Sequence, residues 1–310
     1  MSSEYPSIFS KGFTKHGGIE YKEVEKVANK IFHGGTTETR YIDTQSWEMY
    51  GRPATRLPGQ VHAERHFAES FGMRAVVTRY GMMDSIPKED IKEDLAGILH
   101  RIIPARGGAM GRAFAVNEEI VCANFFANLG YTGTTGLATV DGSPLFYSAH
   151  PTSKNISTTL ANRPTSEVDI SIAAIDAART NLMMQKAANG VDRMANRPKL
   201  LVVNPAQTRI AKQVVNAPWE RATGDRNMNV IPDYKISLLE WPYFEKSGAT
   251  GTNNAWFIQG ETHHCYKDTL EAFTTDSDSD IVARSIVVIA DHAFVVYHTD
   301  WRGFYGSVGV

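Results

Sequence analysis

Cysteine is almost missing from this chain: Cys122 and Cys265 are the only two in 310 residues, far apart and outside any metal-ligand spacing. That excludes a disulfide framework and argues for a reducing compartment with both thiols buried or inert. No apolar run approaches the length that spans a bilayer, and the opening residues MSSEYPSIFSKG lack the apolar segment of a signal peptide. A cytoplasmic, soluble product is the resulting expectation. An excess of one charge is missing too, since 32 basic against 34 acidic residues leave a formal net charge of −2. Such a balance gives no global footprint for nucleic acid or for an anionic membrane. Internal repeats and low-complexity tracts are also absent.

Catalytic signatures are equally scarce. No serine sits in a nucleophile elbow, neither cysteine has protease-like surroundings, and H-E-x-x-H does not occur. Three groupings come nearer to chemistry. Asp276, Asp278 and Asp280 begin like a calcium loop, but its sixth position is Ile281 and its twelfth Val287, so the run reads as a solvated hairpin turn. His263, His264 and Cys265 are adjacent on a strand candidate, where His263 and Cys265 share a face and His264 does not. With no second ligand cluster they read as ordinary strand residues. The run from Arg106 through Gly107, Gly108 and Gly111 to Arg112 has the glycines and charge of an anion site without the Lys-Ser/Thr of a P-loop, and reads as a helix break. No catalytic, cofactor-binding or metal residue is therefore assigned, no cofactor is expected, and the chain does not read as an enzyme.

What is present is ordinary globular material, 42% hydrophobic and 21% charged, enough for two subdomains or one elaborate domain. Residues 1–50 are polar, with one helical candidate at Tyr21–Phe32 ended by Gly34 and Gly35; its apolar side is expected to lie on a neighbour. Residues 51–72 hold too little apolar periodicity for a core element, and a strand candidate follows at Met73–Met83. A helix opens at Pro87, with Glu89 and Asp90 at the positive end of its dipole. Its stripe is Ile91, Leu95, Ile98, Leu99, Ile102 and Ile103, and Pro104 is expected to stop it. A second helix is expected from about Ala109 to Leu129, and another over Ser166–Ala187. Lys199–Val203 (KLLVV) reads as a buried strand, and Asn204-Pro205 as the cap and first position of a helix with Ile210, Ala211, Val214 and Val215 inward. The remainder reads as strand: 230–239, 255–259, 263–273, 281–289 and 293–298. The order implies α+β with mixed sheets rather than a βαβ series.

The most distinctive stretch is Asp141–Asn155, DGSPLFYSAHPTSKN, which joins turn chemistry to an apolar Leu-Phe-Tyr. It belongs to four blocks that carry a resemblance together. The first is Ile86-Pro87-Lys88-Glu89-Asp90-Ile91 through Asp94-Leu95, followed by Gly111-Arg112-Ala113 and a long helix. The second is Asp141-Gly142, Leu145-Phe146 and His150. The third is Leu200-Leu201-Val202-Val203-Asn204-Pro205, and the fourth a C-terminal pair of strands closing on Asp300-Trp301-Arg302-Gly303. In this order, over roughly residues 75–310, the chain resembles the major head (capsid) proteins of Mu-like tailed bacteriophages. One departure is that Pro151, Thr152, Ser153 and Lys154 separate His150 from Asn155, where relatives would carry an asparagine close behind the histidine.

The resemblance implies the Hong Kong 97-type phage capsid fold. Residues 1–50 would be the N-terminal arm, 51–83 an extended E-loop hairpin, 84–135 the P domain with its spine helix, and 136–262 the A domain. Residues 263–300 would return as P-domain strands and 301–310 finish in the A domain. The implied function is a major capsid protein that self-assembles into the icosahedral head shell around double-stranded DNA of a tailed phage or prophage. Partners would be copies of itself in hexamers and pentamers, scaffolding and portal proteins, and packaged DNA held non-specifically, with no membrane; assembly would take place in the bacterial host cytoplasm and the product would be the virion capsid. The lack of a long charged helical prefix suggests a separate scaffolding protein or a prefix already removed. The competing readings are an encapsulin-like nanocompartment shell on the same fold and a metal-dependent hydrolase. In the capsid reading Asp141, Leu145, Phe146 and His150 are packing and turn residues.

Overall fold

The computed structural model describes residues 4–48, 50, 52–53, 55–62, 64, 68–93, 99–132, 140–219, 228–246, 253–280, 282 and 284–310. In chain order the elements are α1 (Glu4–Glu23), β1 (His33–Thr36), β2 (Tyr41–Trp47), β3 (Glu69–Val76), β4 (Thr78–Pro87), α2 (Lys88–Lys92) and α3 (Leu99–Asn124). They continue with α4 (Gly130–Thr132), β5 (His150–Ser153), β6 (Ile156–Leu160), α5 (Ile172–Met184), β7 (Pro198–Val203) and α6 (Thr208–Asn216). The last five are β8 (Ser237–Glu240), β9 (Trp256–Gly260), β10 (His264–Asp280), β11 (Ser285–Asp300) and β12 (Phe304–Ser307). Helices and mixed sheets give the expected α+β class. Two compact units result: Met1–Ile42 with Val76–Cys122 and Lys267–Val296, and Asp43–Ala75 with Ala123–Tyr266 and Tyr297–Val310.

The first unit is built on a sheet of order β1-β10-β11-β4. β4 and β11 run antiparallel, with Ser285 opposite Pro87 and Phe294 opposite Thr78. Alternation on β11 sends Ile286, Val288 and Ala290 to one face, where Ile86, Phe13 of α1, and Met110 and Phe114 of α3 cover them. Two expectations fail here. The helix lies over Glu4–Glu23 rather than Tyr21–Phe32, and Val27, Ala28, Ile31 and Phe32 are buried around a 3-10 turn at Ala28–Lys30. Their spacing reports burial, not helix. The apolar side of this segment is also covered within its own chain, as the fully buried Phe13 shows.

Pro104 does not stop a helix, and Gly107-Gly108 does not separate two: α3 runs through all three. A proline forfeits one helical hydrogen bond and each glycine costs about 1 kcal/mol of propensity, but contact with α1 offsets this. A Cβ on Gly107 would lie 3.1 Å from the Cα of Phe13, and one on Gly111 would collide with the carbonyl oxygen of Gly17. The glycines are the contact surface of two closely approaching helices. Gly111→Val is expected to lower stability by about 3 kcal/mol by forcing α1 away from α3; an unchanged urea midpoint would show that the helices do not touch there. Leu95 and Ile98 of the expected stripe, with Asp94, lie outside the described residues. Pro87 is the cap of α2 rather than its first residue, with Glu89 and Asp90 in the first turn.

Strand boundaries shift as well. The candidate at Met73–Met83 is divided between β3 and β4, which part at Val77. Asp276, Asp278 and Asp280 belong to β10 instead of a turn, and the two candidates at 281–289 and 293–298 form one strand, β11. Arg284, just before β11, takes φ +48; Ile281 lies outside the described residues.

The second unit centres on a sheet of order β12-β9-β7-β8, in which β7 pairs parallel with β8 and antiparallel with β9. Leu201, Val203, Trp256, Ile258 and Tyr305 face α5 and α6. The opposite face carries Phe257 and Phe304 against Phe126, with the rings of Phe126 and Phe257 stacked at 4.5 Å. A sheet buried on both faces needs continuous apolar strands, which is why KLLVV and AWFIQ read so plainly. Asn204 caps as expected, its side chain accepting from the Ala206 N–H ahead of Pro205. Ser171 caps α5 by accepting from Ala174, so that helix is shorter than 166–187. Ile210 is 44% exposed, whereas Ala211, Val214 and Val215 point inward at the spacing of one helix face. The candidate strand at 230–239 is a 3-10 turn over Ile231–Tyr234, left through Lys235 at φ +53, and only then β8. The helix expected to reach Leu129 ends in a π-turn at Phe125–Leu129 before α4.

Candidate functional site

Two buried polar clusters stand out, one in each unit. In the second unit the DGSPLFYSAH loop folds onto His150. Asp141 accepts from the Ser143 N–H at 3.1 Å, a local turn, and its other oxygen lies 2.6 Å from His150 Nδ1. His150 Nε2 sits 3.2 Å from the Leu145 carbonyl, and the ring stacks on Trp301 at 4.3 Å and 4°. Asn162 ties the same loop by donating to Leu145 at 2.7 Å and accepting from the Tyr147 N–H at 2.8 Å. Leu145, Phe146 and His150 are buried, as packing residues should be.

Behind Trp301, Arg302 is 4% exposed. It donates to both oxygens of Asp300 at 3.0 Å and to the carbonyls of Lys186 and Thr152, each at 2.7 Å. Gly303 takes φ +92, and a Cβ there would meet the Thr262 carbonyl oxygen; only glycine permits this turn. Burial, with His150 as a neighbouring basic group, pushes His298 down to about 4 despite Asp141 and Asp300. The cavity lined by Asp141, Thr152, Asp300, Trp301 and Arg302 measures about 30 Å³. That is room for about one water, far below the size of a substrate pocket.

In the first unit Glu118 is 3% exposed. Tyr21 donates to its Oε2 at 2.5 Å and Lys26 at 2.8 Å, while Lys267 reaches its Oε1 at 2.6 Å. Burial alone would raise the Glu118 carboxyl, but Lys267 first and then the hydrogen bonds of Lys26, Lys267 and Tyr21 bring it down to about 2. Lys26 also lies 3.5 Å over the Tyr21 ring, and Tyr21 stacks on Phe273. Glu119 accepts from the Ala28 N–H. The cluster clamps residues 21–29 onto α3 and β10.

The groups singled out in the sequence do not converge. His263 and Cys265 are buried and His264 is half-buried, as strand alternation requires, and burial pushes the Cys265 thiol up. Among the described residues no three His, Cys, Asp or Glu side chains come together as a metal site. Arg106 and Arg112 are bound to Asp84 and Glu20 on the surface of α3, so their run is neither a helix break nor an anion cradle. An open groove of about 530 Å³ beside Arg79, Tyr80, Met82, Phe114 and Asn117 carries no carboxylate, histidine or cysteine.

A family model described as phage capsid protein matches residues 72–307. The chain belongs to that family. No curated protein matches it at the sequence level. Among solved structures, the virus-like particle from Pyrococcus furiosus is 8% identical, covering 96% of this chain and 99% of its own, with a TM-score of 0.54. The capsid asymmetric unit of cyanophage Pam1 is 13% identical over 90% of this chain and 89% of its own, at 0.52. The mature capsid of bacteriophage PhiM1 is also 13% identical, over 89% and 83%, at 0.51. At such identities the likeness is one of fold, the Hong Kong 97-type capsid fold.

This phage capsid protein is thus a major capsid shell subunit, and its buried clusters hold the subunit together. Three of their members carry a signal in the sequence. Lys267 stands two residues after the inward Cys265, a lysine at a buried strand position. Glu118 and Glu119 interrupt the buried side of α3 between Phe114 and Cys122. Among the described residues no helix is long and apolar enough to cross a membrane.

Proposed function

We propose that this capsid protein builds the icosahedral head of a Mu-like tailed phage or prophage, assembling with copies of itself into hexamers and pentamers around double-stranded DNA. The observation that carries the assembly reading is apolar surface left open on an irregular segment. Leu57 is 66% exposed and Val61 93%, between β2 and β3. Side chains of that kind gain burial only from a neighbour, and stable interfaces of this class bury on the order of 2,000 Å² or more. In this reading residues 51–83 form the E-loop, 1–50 the arm, 84–135 and 263–300 the P domain, and 136–262 with 301–310 the A domain. Scaffolding and portal proteins would guide assembly in the host cytoplasm, and the finished shell would belong to the virion. The net charge of −2 suits a container that tolerates DNA without reading its bases.

The four sequence blocks favour a Mu-like phage head over an encapsulin-like compartment, which shares the fold. Negative-stain electron microscopy of the purified chain tests assembly: rings, tubes or shells are expected, and a strictly monomeric species at high concentration would refute spontaneous assembly.

A further inference from the structure

Pro151, Thr152, Ser153 and Lys154, which separate His150 from Asn155, build a turn with a specific target. β5 and β6 pair from His150 opposite Leu160 to Ser153 opposite Ile156, with a bulge between Pro151 and Ser153. Thr152 and Ser153 are both buried, which strict strand alternation forbids and a bulge allows. Thr152 Oγ1 donates across the hairpin to the Thr158 carbonyl at 2.6 Å, and the buried Arg302 donates to the Thr152 carbonyl at 2.7 Å. On this fixed mount Ser153 Oγ donates to Glu48 Oε1 at 2.6 Å, and Asn155 Nδ2 donates to the same oxygen at 3.0 Å. The Lys154 N–H reaches Ser70 Oγ at 3.3 Å, and Asn155 Nδ2 the Glu69 carbonyl at 3.4 Å. Glu48 directly follows β2, while Glu69 and Ser70 open β3. The turn therefore grips both strands of the β2–β3 ribbon where the intervening segment leaves it. We propose that the β5–β6 turn is a positioning latch: through Glu48 it sets the direction in which the segment between β2 and β3 projects, and thereby the uniformity of the shell. The inference rests on the reading of that segment as the E-loop that meets a neighbouring copy.

Other contacts at this root are weaker guides. Arg52 lies 2.6 Å from Asp192, but its side chain is 80% exposed, and an ion pair so open to water contributes little. Ser46, Trp47, Ser70 and Phe71 of the ribbon meet Asp141, Thr152 and Arg302 around the cavity of about 30 Å³, which leaves room there for a water. Glu48 is half-buried, and its two donors form charge-assisted bonds of defined direction. A segment that carries contact residues such as Leu57 and Val61 needs a rigid support, because angular play at its root grows along its length.

Trypsin tests the latch in the unassembled chain, and electron microscopy tests its consequence. Glu48→Ala should speed cleavage after Arg56 on the order of tenfold, since a charge-assisted hydrogen bond no longer opposes local opening. Its urea midpoint should move little. Asn155→Ala removes one donor and should give a smaller increase in cleavage; circular dichroism checks that each variant folds. Glu48→Gln keeps the accepting oxygen and should restore the cleavage rate. In assembly, Glu48→Ala should give fewer closed shells with a wider spread of diameters, and Glu48→Gln should return both to those of the unaltered chain. An unchanged tryptic rate in Glu48→Ala and Asn155→Ala overturns the latch, as does a Glu48→Gln variant no better than Glu48→Ala. Uniform shells from a Glu48→Ala chain that is cleaved faster overturn the link to shell geometry and leave the assembly reading standing. If the unaltered chain forms no shells, the assembly reading fails instead, while the tryptic comparison still decides the latch.

Discussion

Replacing His150 with alanine is expected to destabilise the capsid protein by about 3 kcal/mol, the cost of leaving its buried hydrogen-bond partners without it. The side chains of His150 and Asp141 are 0% and 2% exposed. Truncation strips Trp301 of its stacked neighbour and leaves the Leu145 carbonyl with only the Asn162 amide. It also deprives the buried Asp141 carboxylate of His150, with the Ser143 N–H as its remaining donor of those described above. Both effects act on one loop, so the whole turn from Asp141 to His150 should loosen. Urea unfolding followed by tryptophan fluorescence measures the loss. Asp141→Ala should cost a similar amount, and the double variant clearly less than the sum, because the two side chains share one interaction. Strict additivity, or a loss below about 1 kcal/mol for His150→Ala, would mean that the pair does not hold the loop.

Acid should destabilise the protein in two successive windows. His298 ionises in the folded chain at about 4, against an ordinary value of 6.5. Below 6.5 the unfolded chain therefore takes up a proton that the folded chain refuses. Stability is full above that value and falls as the pH drops towards 4, by about 3 kcal/mol in all. Glu118 acts lower down. Its carboxyl lies at about 2 when folded against 4.5 normally, so its contribution is present above 4.5 and is lost as the pH falls through the folded value, again about 3 kcal/mol. The urea midpoint measured between pH 7 and pH 3 should decline throughout that range, and His298→Leu should flatten its upper part. A midpoint that stays level from pH 6.5 to pH 4 would rule out a buried neutral His298.

Legibility followed the range of the forces involved. Asn204 and Pro205 were readable because a cap depends on neighbours a few residues away, and the structure places the helix there. The loop at Asp141–His150 was readable as turn and packing material, yet its partner Trp301 was not, since nothing local ties the two together. At Pro104, Gly107 and Gly111 local rules misled. They describe an isolated helix, and contact with α1 reverses the preference. The helix at Glu4–Glu23 leaves no clear periodic signal because its glycines and charges blur the apolar stripe.

The sequence by itself determined the α+β class, the buried strand KLLVV, a strand at 255–259, the capped helix after Asn204 and the resemblance to phage head proteins. These rest on local pattern and on the order of short blocks, which survive without coordinates. Tertiary structure alone decided that Glu118 meets Tyr21, Lys26 and Lys267, that Asn29 reaches Lys267, and that His150 lies on Trp301. Such contacts join residues far apart along the chain. Their positions are set by the packing of whole elements, and no spacing within a single segment encodes it.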